Sequence, residues 1–218
     1  MQIAILLYDR FTALDAVGPY EILGRLPGAQ VTFVAERPGE VRTDTRRLAL
    51  LADAALAELP APDVVLVPGG PGQAELMGDG AVHEWLRAAD AASSWTASVC
   101  TGSLILAAAG LLAGRRATSN WQALDELSGL GVEVVAERYV IDGKYATSAG
   151  VTAGMDLALR LAAEIAGEQV AQAIQLGIEY DPRPPFDAGS PAKAPAAVVD
   201  AVRAHSRFES AQARASAP

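Results

Sequence analysis

The chain has 218 residues, of which 51% are apolar, so it is long and apolar enough for one compact α/β domain and is not an intrinsically disordered chain. Lysine and arginine number 17 and aspartate and glutamate 26, and the net charge of −9 argues against nucleic acid or an anionic membrane surface as a partner. The single cysteine excludes an intrachain disulfide, the amino terminus lacks the pattern of a signal peptide, and the longest apolar stretch is about half of the ~20 residues that span a bilayer, so we expect a cytoplasmic protein.

Apolar strand-like runs alternate with helical patterns along the chain. In chain order, the sequence predicts strand 2–8, helix 15–26, strands 30–35 and 63–68, helix 80–92, strand 96–99, helix 101–112, strands 132–135, 139–141 and 145–147, and helices up to 166 and over 168–180. Thr152 is a candidate cap for the helix that ends at residue 166. This alternation is typical of the α/β class and predicts a doubly wound, mostly parallel sheet with helices on both faces.

The carboxyl-terminal part differs in composition. Residues 181–195 contain five prolines and can form neither a helix nor an internal strand. They form either a surface arm or an arm that packs on a partner subunit. We therefore assign residues 1–195 to the α/β domain with its proline-rich arm at 181–195, and residues 196–218 to a helix with a frayed tail.

Cys100 is a candidate nucleophile. It ends an apolar strand, and Thr101, Gly102 and a helix follow at once. A strand-to-helix turn projects its residue from the carboxyl edge of the sheet, and the amino end of the helix stabilises a thiolate and lowers its pKa. The alternative interpretation is a buried, inert thiol.

The segment Pro68-Gly-Gly-Pro-Gly72 directly follows a predicted strand. It lacks the Gly-Lys-Ser/Thr ending of a phosphate-binding loop, and a simple turn is the common role of such clusters. Its functional interpretation is an oxyanion site, in which the N–H of Gly70 faces the N–H of Thr101.

Asp15 stands at the start of the first predicted helix. It is a favoured residue for a helix cap, and Thr12 with Asp15 matches the spacing of a capping box. Since the first strand also ends at the carboxyl edge of the sheet, Asp15 is alternatively an acid that reaches the region of Cys100.

The two histidines are poorly placed for catalysis. His83 lies inside a predicted helix, where we expect a surface residue, and His205 lies in the terminal helix. A cysteine–histidine dyad is therefore not predicted, and one cysteine with two scattered histidines gives no metal-ligand spacing.

Several of these segments resemble the ThiJ/PfpI branch of the class I glutamine-amidotransferase-like superfamily. The resemblance is carried by LDAVGPYEIL (14–23), DVVLVPGGPG (63–72), SVCTGS (98–103) and GLLAGRRATSNW (110–121). Within that branch, QAIQLGIEYDPRPPFDAGSP (172–191) is similar to the carboxyl-terminal segment of isonitrile hydratases. The resemblance extends to about residue 196.

This resemblance implies a flavodoxin-like fold, a homodimer without cofactor, and the hydration of a small isonitrile, R–N≡C, to an N-formamide. It assigns Cys100 as nucleophile, Asp15 as its acidic partner, Thr101 as the polar residue after the nucleophile, and Gly70 as a backbone donor. We expect Asp15 to act as general acid and base, and we add Gly69 of the same loop to the oxyanion and substrate-binding residues. Many relatives carry histidine where this chain has Asn120. We expect Asn120 to bind substrate without transferring a proton, because an amide is not a base near neutral pH.

Two other classes of function remain open. A glyoxalase-like or protein-repair enzyme of the same superfamily also uses a cysteine and an acid. A cysteine redox sensor or ligand-binding protein is the non-enzymatic alternative, since an accessible thiolate oxidises readily. The aspartate at position 15 and the proline-rich arm favour the hydratase.

Overall fold

A seven-stranded sheet forms the centre of the protein, in a computed structural model that describes residues 1–206. The strands of the protein are β1 (Gln2–Leu6), β2 (Gln30–Ala35), β3 (Gly39–Arg42), β4 (Ala49–Ala52), β5 (Ala54–Ala55), β6 (Val64–Val67), β7 (Trp95–Val99), β8 (Arg116–Ala117), β9 (Glu133–Val134), β10 (Tyr139–Asp142) and β11 (Tyr145–Ser148). The central sheet has the order β10-β11-β7-β6-β1-β2-β5, and only the β10–β11 pair is antiparallel.

Two layers of helices cover this sheet. The helices are α1 (Ala13–Leu23), α2 (Ala81–Ala92), α3 (Gly102–Ala108), α4 (Leu124–Gly129), α5 (Ala153–Ala166), α6 (Glu168–Gly177) and α7 (Ala196–Ala204). Helix α5 packs on both α1 and α6, and α2 and α3 contact each other. The predicted α/β class, with a mostly parallel doubly wound sheet, is confirmed. Within the described residues, none of the helices is long and apolar enough to cross a membrane.

The strand order determines where a ligand can bind. The run β2-β1-β6-β7-β11 is the flavodoxin-like order, in which sites form beyond the carboxyl ends of the strands where the order reverses. Here the reversal lies between β1 and β6. Both strands are almost entirely apolar and buried, and Ile3, Ile5 and Leu66 belong to the core. Each such side chain contributes about 1.5–3 kcal/mol through its burial, so the core holds the two loops at this edge in place.

Several predictions for single elements differ from the structure, and α1 begins and ends earlier than the predicted helix 15–26. Helix α3 ends at Ala108 rather than at residue 112, because Gly110 takes a left-handed backbone with φ of 84°. The strand predicted at 132–135 is only β9, which pairs with β8 outside the central sheet. Thr152 occupies the cap position of α5, but its side chain makes no capping hydrogen bond.

The hairpin of β3 and β4 was not predicted. Its strands are four residues long and half exposed, so they lack the continuous apolar run of a buried strand. The hairpin contacts the loop after β1 through a parallel bridge between Phe11 and Thr43.

The carboxyl-terminal segment is largely exposed. Residues 181–195 form turns and irregular structure, as their prolines predicted. The predicted terminal helix is α7, which rests on the body of the protein through Arg203, stacked over the Trp121 ring at 5.4 Å. The predicted frayed tail at 207–218 lies outside the described residues.

Helix α3 approaches β6 so closely that Gly102 has no room for a side chain. A Cβ atom at this position would overlap with the carbonyl oxygen of Val67. We expect Gly102→Ala to lower the free energy of unfolding by about 2 kcal/mol or more, because backbone atoms must move to admit it. Gly129→Ala is the control: its Cβ would meet open space in α4, so it is expected to be neutral or to stabilise by up to about 1 kcal/mol. Urea unfolding of both variants measures the difference, and equal stabilities would contradict the close approach of α3.

Candidate active site

The loops that follow β1, β6 and β7 meet at the carboxyl edge of the sheet. The backbone N–H of Gly69 donates to Oδ2 of Asp15 at 3.1 Å, and the N–H of Thr12 donates to the carbonyl of Gly69 at 2.7 Å. A Cβ atom on Gly69 would lie 2.8 Å from Cβ of Cys100. Gly69 therefore contacts both the acidic helix start and the cysteine turn, and the three loops form one cluster.

Cys100 has a left-handed backbone. Its φ is 57°, a conformation that costs a residue other than glycine about 1 kcal/mol or more. Three hydrogen bonds hold this turn: the N–H of Cys100 donates to the carbonyl of Ser148 at 3.0 Å, and its carbonyl accepts from the hydroxyls of Ser119 at 2.9 Å and Ser103 at 3.2 Å. The turn is the sharp strand-to-helix bend that presents a nucleophile in many α/β enzymes.

Thr101 is bonded to the glycine loop. Its hydroxyl accepts the N–H of Gly70 at 3.0 Å and lies 3.4 Å from the carbonyl oxygen of the same residue, to which it donates. The N–H of Gly70, predicted as an oxyanion donor, is thus engaged by Thr101. A ligand reaches this N–H only by replacing the threonine hydroxyl.

Asp15 is fully buried at the third position of α1. The capping interpretation is wrong: the cap position belongs to Thr12, which makes no side-chain capping bond and whose hydroxyl donates instead to Asp44 at 3.4 Å. The carboxylate of Asp15 accepts from Gly69, which belongs to the loop after a different strand. The buried carboxylate of Asp15 thus connects α1 with the loop after β6.

Asn120 borders the sulfur of Cys100. Its Oδ1 accepts the N–H of Gln122 at 3.0 Å, which directs its amide nitrogen toward Gly150. A Cβ atom on Gly150 would lie 2.5 Å from that nitrogen and 3.2 Å from Sγ of Cys100. The amide nitrogen and the sulfur therefore both lie close beside Gly150.

Sequence reasoning missed Tyr8. Its hydroxyl donates to the carbonyl of Pro68 at 2.9 Å. Burial raises the pKa of Tyr8 well above its usual value, and the negative charges of Asp15, Cys100 and Asp44 raise it further. Tyr8 is therefore a protonated donor beside the acidic groups. Its position at the carboxyl end of the first apolar run was the signal that could have identified it.

The serines around Cys100 were also missed. Ser103, Ser119 and Ser148 are buried, and each forms a hydrogen bond with the turn or with the neighbouring strand. Ser119 lies far from Cys100 in sequence, so only the folded chain brings its hydroxyl to the Cys100 carbonyl.

The histidines lie outside this cluster. His83 is buried, contrary to the expected surface position, because its Nε2 bonds the carbonyl of Leu76 at 2.8 Å. His205 follows α7 and bonds the carbonyl of Ala201. Within residues 1–206, histidine, cysteine, aspartate and glutamate side chains do not gather in any group of three that could bind a metal ion.

The glycine loop is crowded on all sides. A Cβ atom would lie 2.5 Å from the amide nitrogen of Thr101 if placed on Gly69, and 2.5 Å from the carbonyl oxygen of Arg10 if placed on Gly70. On Gly72 it would overlap with the carbonyl of Asp9. The glycines therefore allow three backbone segments to approach one another.

Comparisons with known proteins agree with this architecture. The model of the DJ-1/PfpI family matches residues 1–164. The chain is 45% identical to the isonitrile hydratase of Pseudomonas putida over 93% of this chain and 89% of that protein. The crystal structure of a ThiJ/PfpI family protein from Pseudomonas syringae superimposes with a TM-score of 0.91 at 40% identity, covering 94% of this chain and 85% of that one. Drosophila melanogaster DJ-1beta superimposes with a TM-score of 0.74 at 26% identity, over 82% and 97% of the two chains.

Two serine hydroxyls bond the Cys100 carbonyl, and the losses of stability on removing them are expected to be non-additive. Ser119→Ala and Ser103→Ala should each cost about 0.5–1.5 kcal/mol, since one hydroxyl still bonds the carbonyl. The double variant should cost more than the sum, because the buried carbonyl then loses both of these donors. Urea unfolding of the four proteins gives the coupling free energy. Strict additivity would contradict a shared acceptor.

Proposed function

The chain belongs to the DJ-1/PfpI family, and from this membership we propose that it is an enzyme that hydrates an isonitrile, R–N≡C, to the N-substituted formamide. The proposal is supported by the identity of 45% to the isonitrile hydratase of Pseudomonas putida. The structural observation that carries it is the contact of Gly69 with both Asp15 and the Cys100 turn. This arrangement places a candidate nucleophile and a buried acid on either side of one glycine.

The first chemical step joins Cys100 to the substrate. The thiolate attacks the terminal carbon of the isonitrile and forms an S–C bond, while Asp15 gives its proton to the same carbon. The product is a thioimidate, R–N=CH–S, on Cys100, and Asp15 is left as a carboxylate. The N–H of Gly69 then stabilises this carboxylate.

Water completes the reaction. The water oxygen bonds to the thioimidate carbon while Asp15 accepts a proton from the water. Asp15 then passes that proton to the substrate nitrogen. The hydroxyl proton of the resulting adduct returns to Asp15 as the C=O bond forms and the C–S bond breaks. The formamide leaves, and Cys100 is again a thiolate beside a protonated Asp15. The net reaction adds one water to the isonitrile, since the second water proton replaces the one that Asp15 gave to the carbon, and the proposed cycle needs no further reactant.

Thr101 is assigned to orient the attacking water, and Asn120 to orient the thioimidate. The donor contact of the Thr101 hydroxyl to Gly70 is long at 3.4 Å, so this proton can turn to the attacking water at little cost. The amide nitrogen of Asn120 lies beside Gly150, as Sγ does, and is assigned to donate to the thioimidate nitrogen. Gly69 and Gly70 act through their N–H groups, which hold Asp15 and Thr101.

We also propose a homodimer that uses the carboxyl-terminal quarter of the chain. Four large apolar side chains in this region are 46–79% exposed: Leu176, Phe186, Val198 and Val202. Apolar residues concentrated on one region are typical of an interface.

Replacement of the nucleophile is expected to abolish turnover. Cys100→Ser should fold with near-parental stability and lose at least ~10³-fold in formamide production from an aryl isonitrile, because an alkoxide forms far less readily than a thiolate. Product formation is followed by chromatography. Comparable turnover in the two proteins would remove Cys100 from the mechanism.

Asp15→Asn tests the acid. The side-chain oxygen of the introduced asparagine can still accept the N–H of Gly69, so stability should change by no more than about 1 kcal/mol, whereas turnover should fall ~10²–10⁴-fold. Asp63→Asn is the control, since Asp63 also accepts one backbone N–H, from Gln2 at 2.7 Å, at the opposite edge of the sheet. It should keep parental turnover. A folded Asp15→Asn protein that retains activity would contradict the assignment.

The proposed dimer is tested by mass in solution. Light scattering at micromolar concentration should give twice the monomer mass of 22.5 kDa. Leu176→Asp should weaken association, whereas Leu51→Asp on the β3–β4 hairpin, also well exposed, should leave it intact. A monomeric parent would exclude the dimer.

A further inference from the structure

One peptide group connects Tyr8 with Asp15. The carbonyl of Pro68 and the N–H of Gly69 belong to the same planar unit. The carbonyl accepts the hydroxyl of Tyr8 at 2.9 Å, and the N–H donates to Oδ2 of Asp15 at 3.1 Å. Tyr8 and Asp15 therefore bind the opposite ends of one dipole.

Hydrogen bonds in such a chain strengthen one another. A donor on the carbonyl polarises the peptide group and makes its N–H a better donor. A stronger N–H bond favours the ionised form of the carboxylate that accepts it. Burial raises the pKa of Tyr8 well above its usual value, so its hydroxyl is a donor at neutral pH.

We propose that Tyr8 is a positioning residue, which acts through the Pro68–Gly69 peptide group to set the protonation of Asp15 and Cys100. The kinetic part of this inference rests on the proposed function, but the effect on the thiol does not. Loss of the Tyr8 hydroxyl weakens the hydrogen bond from the Gly69 N–H and so stabilises the Asp15 carboxylate less. Asp15 then holds its proton more tightly, and a protonated Asp15 does not repel the Cys100 thiolate as the carboxylate does.

The charges around Tyr8 favour this role. The titratable groups whose charges act on it are Asp15 in α1, Cys100 after β7 and Asp44 in the β3–β4 hairpin, and each becomes negative on ionisation. The nearby guanidinium of Arg10 is directed to Glu75 at 2.8 Å. Peptide dipoles and hydroxyl groups therefore stabilise much of the negative charge in this cluster. The hydrogen bond from Tyr8 to the Pro68–Gly69 peptide group is one such contribution.

Removal of the hydroxyl should leave the loop in place. The next peptide group is held independently, since the carbonyl of Gly69 accepts from Thr12 and the N–H of Gly70 donates to Thr101. The crowding around Gly69 restricts its movement further. Tyr8→Phe is thus expected to fold and to report an electrostatic effect.

The test is the pH dependence of Cys100 alkylation by iodoacetamide. The sequence has one cysteine, so the reaction reports on this thiol alone and does not depend on isonitrile turnover. In Tyr8→Phe the midpoint of the rate profile should move to lower pH by about half a unit or more, because Asp15 stays protonated over more of the range in which the thiol ionises. Tyr145→Phe is the control, because Tyr145 is also buried and donates one hydrogen bond, to Asp90 at 3.0 Å, at the amino end of β11. Its profile should superimpose on that of the parent. A Tyr8→Phe profile that superimposes on the parent, or an equal shift in Tyr145→Phe, overturns the proposal.

The route through Asp15 is tested by a double variant. In an Asp15→Asn background, Tyr8→Phe should no longer move the midpoint, because residue 15 no longer titrates. A shift that persists there overturns the route. Turnover is measured separately: a parent that yields no formamide defeats the proposed function, and the alkylation profiles still decide the role of Tyr8.

A measurement on the parent covers the case in which Tyr8→Phe does not fold. The amide proton of Gly69, observed by NMR after selective glycine labelling, should shift with pH as Asp15 and Cys100 titrate. This shift should change in Asp15→Asn. A Gly69 signal that is independent of pH contradicts the polarised chain.

Discussion

The left-handed backbone of Cys100 is the constraint on which the site depends. At the end of β7 the chain must reverse sharply to begin α3, and this reversal moves the cysteine away from the sheet and toward the switch point beside β6. The conformation is unfavourable for a side-chain-bearing residue, so neighbouring groups must stabilise it. Hydroxyls from α3 and from the loop after β8, together with the backbone of β11, supply that stabilisation. The position of the sulfur is thus a property of several elements.

A second constraint follows from burying acidic groups together. Asp15 and Cys100 are both completely buried, and Asp44 lies near Tyr8. Ionised groups in such surroundings require compensation, and cations at the edge of the cluster engage surface carboxylates, as Arg46 does with Asp9. Backbone N–H groups and hydroxyls therefore provide the compensation. Such dipoles stabilise negative charge without neutralising it permanently, which suits groups that must gain and lose a proton.

The sequence predicted the fold class, most elements of the central sheet and the Cys100 turn, because these features have local signals. Continuous apolar runs identify β1 and β6, and the Val99–Gly102 segment shows a strand that turns into a helix. The short half-exposed hairpin has no such signal. Asp15 shows the limit most directly: a favoured cap residue at the start of a helix proved to bond Gly69, 54 positions away. Contacts of that range depend on strand order, which local patterns do not encode.

The crowding around the glycine loop has a consequence for its dynamics. Glycine-rich segments are generally associated with mobility, since they lack the side chains that restrict a backbone. Here the missing side chains are replaced by the backbones of the two neighbouring loops, which occupy the space directly beside Gly69, Gly70 and Gly72. This loop is therefore rigid. Its amide protons should exchange with solvent as slowly as those of the central strands. Entry of a small molecule to Cys100 must then depend on movement elsewhere around the cleft.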